Sequence, residues 1–151
     1  RSLYSGDRVS ANSPTNYSAA NRRSIRAPIL TCPNANNDLF TVDNINGNQA
    51  LTYPIRLITL DELMFPGMGS SQINTLSYIF CGARYWTMTP AMYNTNYSSG
   101  LVYSIGGDGR IYNHTTSTKN NGIRPVINLG STVEIESGIG TANDPYVLSV
   151  K

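Results

Sequence analysis

The run Gly122-Ile123-Arg124-Pro125-Val126-Ile127-Asn128-Leu129 sets one arginine in an otherwise apolar stretch near the C-terminus. A short apolar run bounded by glycine reads as a buried strand. Charged groups are rarely buried unless paired. Arg124 must therefore tie backbone carbonyls and a carboxylate together inside the fold, or point into a site. Its apolar neighbours favour the structural role. The stretch Tyr85-Trp86-Thr87-Met88-Thr89-Pro90 alternates apolar and polar residues up to Thr89 and carries the sole tryptophan. The two strands are expected side by side in one small central sheet, with Trp86 and Arg124 as its structural pins.

The rest of the chain divides into short elements. Residues 1–37 lack a period and read as a loop-rich N-terminal part, with Ile25 to Leu30 a short extended piece. A loop of that length needs ties, and its arginines and Cys32 are the candidates. Leu39-Phe40-Thr41-Val42 and Leu51 to Ile58 read as strands, Pro54 placing the second at an edge or bulge. Thr59, three residues before Glu62, forms a capping box, so a short helix is expected from Leu60 to Phe65, stopped by Pro66-Gly67. Ser70 to Phe80 leaves room for one helical turn. Leu101 to Ile105 and Arg110 to Tyr112 flank Gly106-Gly107-Asp108-Gly109 as a β-hairpin. Thr132 to Ile135 and Tyr146 to Val150 complete the strands. One or two helices and about seven short strands make the fold class α+β, with much irregular loop, in a single domain over residues 1–151.

Composition narrows the function classes. Only 13% of residues are charged, and the polar surface comes instead from 17 Asn, 16 Ser and 14 Thr, with 10 Tyr. Such a surface suits contact with neutral polyols or protein faces. The net charge is +2, and the chain holds two lysines. Nucleic-acid binding needs a denser basic face and is not expected. No apolar run approaches the roughly 20 residues of a membrane span. The chain opens at Arg1 without an initiator methionine or signal peptide, and reads as a mature or trimmed product or part of a longer chain. Cys32 and Cys81 lack metal-like spacing, and a disulfide between them is the simplest pairing for an exported protein. Two buried free thiols in a cytosolic protein are the alternative.

Chemistry-bearing motifs are sparse. No helix pattern follows Gly106–Gly109, so that segment is a hairpin turn and no phosphate cradle. Asp108 lacks clustered acids, whereas calcium takes about six to eight oxygens; no metal or cofactor is expected. A Ser-His-Asp arrangement would have to use His114, the one histidine, and nothing beside it in sequence resembles a nucleophile elbow. Asp61 and Glu62 are adjacent, point to different faces of their helix and serve its first turn. No enzyme is expected.

Five segments carry a resemblance: Gly47 to Ile55, Leu57 to Glu62, Tyr85 to Pro90, Gly122 to Leu129, and Gly140 to Val147. In this order, over nearly the whole chain, they resemble bacterial surface and secreted domains of C-type-lectin-like fold. Relatives of that group include the formylglycine-generating-enzyme fold and the variable receptor-binding proteins of diversity-generating retroelements; such domains also occur on pilin-like surface proteins. The resemblance implies a ligand face between the tryptophan strand and the Arg-Pro strand, here Ala91 to Asn121. Its candidate binding residues are Tyr93, Asn94, Asn96, Tyr97, Tyr103, Tyr112, Asn113 and His114. No Glu-Pro-Asn or Gln-Pro-Asp triplet occurs, and no cysteine lies near the C-terminus. Neither the calcium-dependent sugar site of animal lectins nor formylglycine-generating chemistry is therefore implied. The expectation is an extracellular or cell-surface, non-catalytic binding or adhesion domain that recognises protein or glycan on another cell or surface. The alternative is a self-assembling subunit of a filament or sheath.

Overall fold

Thr59 caps the central helix as its sequence dictates. The computed structural model describes residues 15–16, 18–32, 39–45, 47–69, 73–94, 96, 98–117 and 120–151. In it the Thr59 hydroxyl accepts from the Glu62 amide at 3.2 Å, and Glu62 Oε2 accepts from the Thr59 amide at 2.9 Å. This closes the capping box of a helix over Leu60–Met64, with Phe65 as C-cap. In chain order the elements are β1 (Thr15–Asn16), α1 (Ser18–Ile25), β2 (Ile55–Leu57), α2 (Leu60–Met64), β3 (Tyr85–Asn94), β4 (Ser99–Ile105), β5 (Ile111–Thr115), β6 (Pro125–Ile127), β7 (Val133–Ser137) and β8 (Val147–Val150). The protein is a small mixed α/β structure with antiparallel sheets in the orders β1-β3-β4-β5, β2-β6 and β7-β8. No helix among the described residues is long and apolar enough to cross a membrane.

The core lies between the four-stranded sheet and the two helices. Tyr85, Ala91, Tyr103, Ile105 and Ile111 face Leu60 and Leu63 of α2 and Ala19 of α1. Leu60 and Leu63 point the same way because residues three apart share a helix face. Thr89 reaches across from β3 and accepts from the Leu60 amide at 2.9 Å, so one amide of the first helical turn finds a buried partner.

Two bidentate ion pairs bolt the helices to the rest. Arg22 on α1 donates from Nε and one terminal nitrogen to the two oxygens of Asp61, both at 2.7 Å. Arg56 on β2 donates from its terminal nitrogens to Glu62 at 2.7 and 2.6 Å, and one of them also reaches Asn128 Oδ1 at 2.8 Å. The second pair joins β2, α2 and the end of β6.

Four expectations about elements and their pairing are corrected. Part of the N-terminal region read as loop is helix α1, whose inward face is Ala19 and Arg22; a buried face of that composition carries no apolar period. The arginine tie did materialise, through Arg22. Leu39–Val42 forms no strand, because the Thr41 hydroxyl donates to the Asp43 carbonyl and accepts from the Gln49 amide, holding the segment in local turns. The strand expected over Leu51–Ile58 is confined to Ile55–Leu57, starting immediately after Pro54. The fourth correction concerns the central sheet. β3 and β6 belong to different sheets, linked by a single parallel bridge between Tyr85 and Gly122. The pairing goes no further because the Met88 amide, next along β3, donates to the Ile58 carbonyl instead, and β6 pairs with β2, Ile55 opposite Ile127. Arg124 consequently lies beside Tyr85, not Trp86: its guanidinium sits 5.4 Å from the Tyr85 ring centre and donates to the Ile79 carbonyl.

Cys32 and Cys81 are not joined by a disulfide, which corrects the disulfide expectation. Cys81 is exposed and its thiol is turned toward the Ala83 carbonyl at 4.0 Å.

Candidate functional site

The hairpin β4–β5 and strand β3 form a platform with two distinct faces. Residues directly opposite in an antiparallel ladder share a face. Trp86, Ser104 and Tyr112 form one such row, and Pro90, Val102 and His114 form the next. Both rows point away from the helices. The opposite face holds Tyr85, Ile105 and Ile111, and these are core.

On the outer face three rings converge. The Trp86 and His114 rings meet edge-on at 6.3 Å between centres, and the Tyr112 ring lies 5.8 Å from His114 at a tilt of 34°. These are ordinary aromatic pair distances. Trp86 and His114 are half-buried, and Tyr112 is 37% exposed. Beneath them Ser104 Oγ is 2.8 Å from His114 Nδ1, fixing the imidazole plane.

The hairpin turn holds Tyr112 from the other side. Tyr112 donates its hydroxyl to Asp108 Oδ2 at 2.7 Å. That bond holds the Asp108 carboxyl below its usual range and raises the Tyr112 phenol. Gly109 has φ +79°, the left-handed conformation glycine adopts freely. Gly106 is needed for space: a Cβ there would fall 2.5 Å from the Tyr112 ring.

The sequence candidates are divided by this geometry. Tyr112 and His114 lie on the platform. Trp86, expected as a purely structural residue, is its largest ring. Tyr103 is 1% exposed, capped by the Arg23 guanidinium 5.1 Å from its ring, and belongs to the core; burial raises its phenol pKa. Asn113 pairs with Tyr103 in the ladder and points to the other face, exposed on the outermost strand. Tyr93 is half-buried between Thr15 and Gly100, and Asn96 is exposed beyond the end of β3. Tyr97 and the Asn94 side chain lie outside the described residues.

Ser104 was not singled out from sequence, yet it contacts the only histidine. It is fully buried, and His114 offers it Nδ1. The nearest acid in the hairpin, Asp108, is engaged by Tyr112. The pair positions a ring and does not present a nucleophile to solvent. Among the described residues no three of His, Cys, Asp and Glu cluster to hold a metal ion.

No family model, curated protein or solved structure matches this chain. The reading of the platform therefore rests on its own geometry.

Proposed function

We propose that the protein is a non-catalytic binding domain of C-type-lectin-like architecture, working at a cell surface or outside the cell, and that the Trp86–Tyr112–His114 face engages a neutral glycan. The observation that carries this reading is the pair of cross-strand rows, which set three partly exposed rings on a rigid sheet. Aromatic faces accept the apolar C–H surface of a sugar, and the imidazole and phenol supply hydrogen bonds at the rim. The low charge of the chain and its abundance of amides and hydroxyls fit a neutral ligand. The five sequence segments and the mixed architecture support the lectin-like assignment.

Because Trp86 is the sole tryptophan, its intrinsic fluorescence reports the site directly. A panel of neutral oligosaccharides should include one that shifts that emission saturably. Tyr112→Ala should then weaken binding about tenfold or more, the loss expected for a stacked ring at a binding centre, while Tyr146→Ala on the distant β7–β8 connection should change nothing. Trp86→Ala, followed by calorimetry, should do the same as Tyr112→Ala. Full affinity in both ring variants would exclude this face.

A second reading, a self-assembling subunit of a surface filament, is favoured by the β7–β8 ribbon. Ile135 and Leu148 are paired across it, Val150 lies two residues on, and all three are exposed; contiguous exposed apolar surface marks interaction sites. Negative-stain images of concentrated protein separate the readings. Monodisperse particles are expected for a binding domain, and fibres would support the assembly.

A further inference from the structure

Arg124 sits in a largely apolar hollow and pairs with no carboxylate among the described residues. The hollow, about 180 Å³, is lined by Ile58, Tyr78, Ile79, Tyr85, Arg124 and Val126. It adjoins a second hollow of about 220 Å³ that shares Ile58, Tyr78 and Val126 and runs on to Leu30, Phe65 and Ile127. Together they make a short trough with the Arg124 cation at one end, the apolar side chains of Ile58, Tyr78 and Val126 in the middle, and Leu30, Phe65 and Ile127 at the far end beside the mutually paired Arg56 and Glu62 and Asn128.

The arginines differ in how their charge is met. Arg22 and Arg56, both withdrawn from solvent, each grip a carboxylate with two nitrogens. Arg124 is also half-buried, but it makes no ion pair among the described residues. One terminal nitrogen donates to the Ile79 carbonyl, which also accepts from the Tyr85 hydroxyl at 3.2 Å, and the guanidinium lies 5.4 Å from the Tyr85 ring centre with that hydroxyl in hydrogen-bond reach. A guanidinium carries five donor hydrogens in a fixed fork. The Ile79 carbonyl and the Tyr85 hydroxyl meet part of that fork, and the edge left over lies in surroundings where a lone charge is poorly solvated. A planar anion with two oxygens is the group that edge fits.

We propose that this trough binds a monocarboxylate on an apolar tail. The carboxylate pairs with the Arg124 fork, and the tail lies over Ile58, Tyr78 and Val126 toward Phe65. The head of such a ligand has one chemistry whether it comes from a medium-chain acid or from the C-terminus of an apolar peptide. The site lies apart from the Trp86 platform and does not depend on the glycan reading.

The test uses the intact protein, with calorimetry or ligand-observed NMR as readout. The probes are sodium octanoate, octanamide, the peptide acetyl-Ala-Val-Leu and its C-terminal amide. At least one acid should bind saturably, and its neutral amide about tenfold or more weaker, the difference a charge-assisted pair supplies. The tighter acid identifies the source. Arg124→Gln should remove the preference for acid over amide. Tyr78→Ala should weaken acid and amide together, and Tyr78 is exposed enough for that change to spare the fold. If Arg124→Gln does not fold, the acid–amide ratio on the wild-type protein decides. No binding of either acid, equal binding of acid and amide, or an unchanged ratio in folded Arg124→Gln would each overturn the proposal.

Discussion

Asp61→Ala should cost about 3–5 kcal/mol of folding stability, the usual penalty for removing one partner of a buried ion pair. The Asp61 side chain is 1% exposed and accepts three hydrogen bonds: two from Arg22 at 2.7 Å and one from the Ile29 amide at 3.1 Å. Truncation leaves the Arg22 guanidinium, 12% exposed, without a counter-charge, and it leaves the Ile29 amide without its acceptor. Against a typical total of about 5–15 kcal/mol, that loss would leave a substantial unfolded population at modest temperature. Urea denaturation followed by circular dichroism measures it, with an unchanged m-value marking a pure stability effect. The double variant Arg22→Met/Asp61→Leu should recover most of the loss, because an apolar pair of similar volume avoids both desolvation costs. A single-variant loss under about 1 kcal/mol would place the pair among weak surface bridges. The pair also fixes α1 over the sheet, where Arg23 covers Tyr103, so the inner side of the platform depends on it.

How far sequence led to this site can be argued from individual residues. Thr59 and Glu62 announced α2, because a capping box is a local device whose partners are three residues apart. The β4–β5 hairpin was legible for the same reason: glycines mark the turn, and its strands are adjacent in sequence. Facing was also legible in part. Tyr103 has the parity of Leu101 and Ile105, and that parity belongs to the core; counting it as a surface tyrosine overlooked the period of two. Ser104 and Tyr112 follow from the same counting on the opposite face, and the outward side of Trp86 from its pairing with Ser104. Helix α1 was hidden because its inward side is an alanine and an arginine, and the arginine is stabilised by a carboxylate 39 positions away. Nothing local encodes that partner. The separation of β3 from β6 was equally non-local: it turns on competing partners, Ile58 for the Met88 amide and β2 for β6. Arg124 was expected to hold several backbone carbonyls and a carboxylate; it donates to the single carbonyl of Ile79, and no feature near it in sequence revealed that a carboxylate partner would be missing among the described residues.

Acid should unfold the protein partly through Glu62. Burial alone would raise the Glu62 carboxyl, but the Arg56 hydrogen bonds, followed by the Thr59 amide and hydroxyl, outweigh it and hold the group at about 2, against 4.5 ordinarily. A folded-state pKa below the unfolded one means the unfolded chain takes up the proton more readily. The stabilisation is therefore complete above pH 4.5 and is lost as pH falls from 4.5 through about 2. At about 1.4 kcal/mol per pH unit the shift corresponds to roughly 3 kcal/mol, trimmed to about 2–3 because the side chain keeps 23% of its exposure to water. Asp108 is also held low, but it lies on open surface and adds little to the slope. Denaturant midpoints at pH 7, 4, 3 and 2 should fall steeply for the wild-type protein, and less so for Glu62→Gln. The variant should be the weaker at pH 7 by about 2–3 kcal/mol, and the gap should close as pH falls toward about 2, where Glu62 is half protonated in the folded state. The physical reason for convergence is that protonated Glu62 and glutamine both present an uncharged carbonyl oxygen to Arg56, so that guanidinium keeps neutral acceptors, Asn128 and the Leu57 carbonyl among them, but no counter-charge. Parallel curves for the two proteins would mean that the Arg56–Glu62 clamp between β2, α2 and β6 contributes nothing to acid sensitivity, and that the slope arises elsewhere.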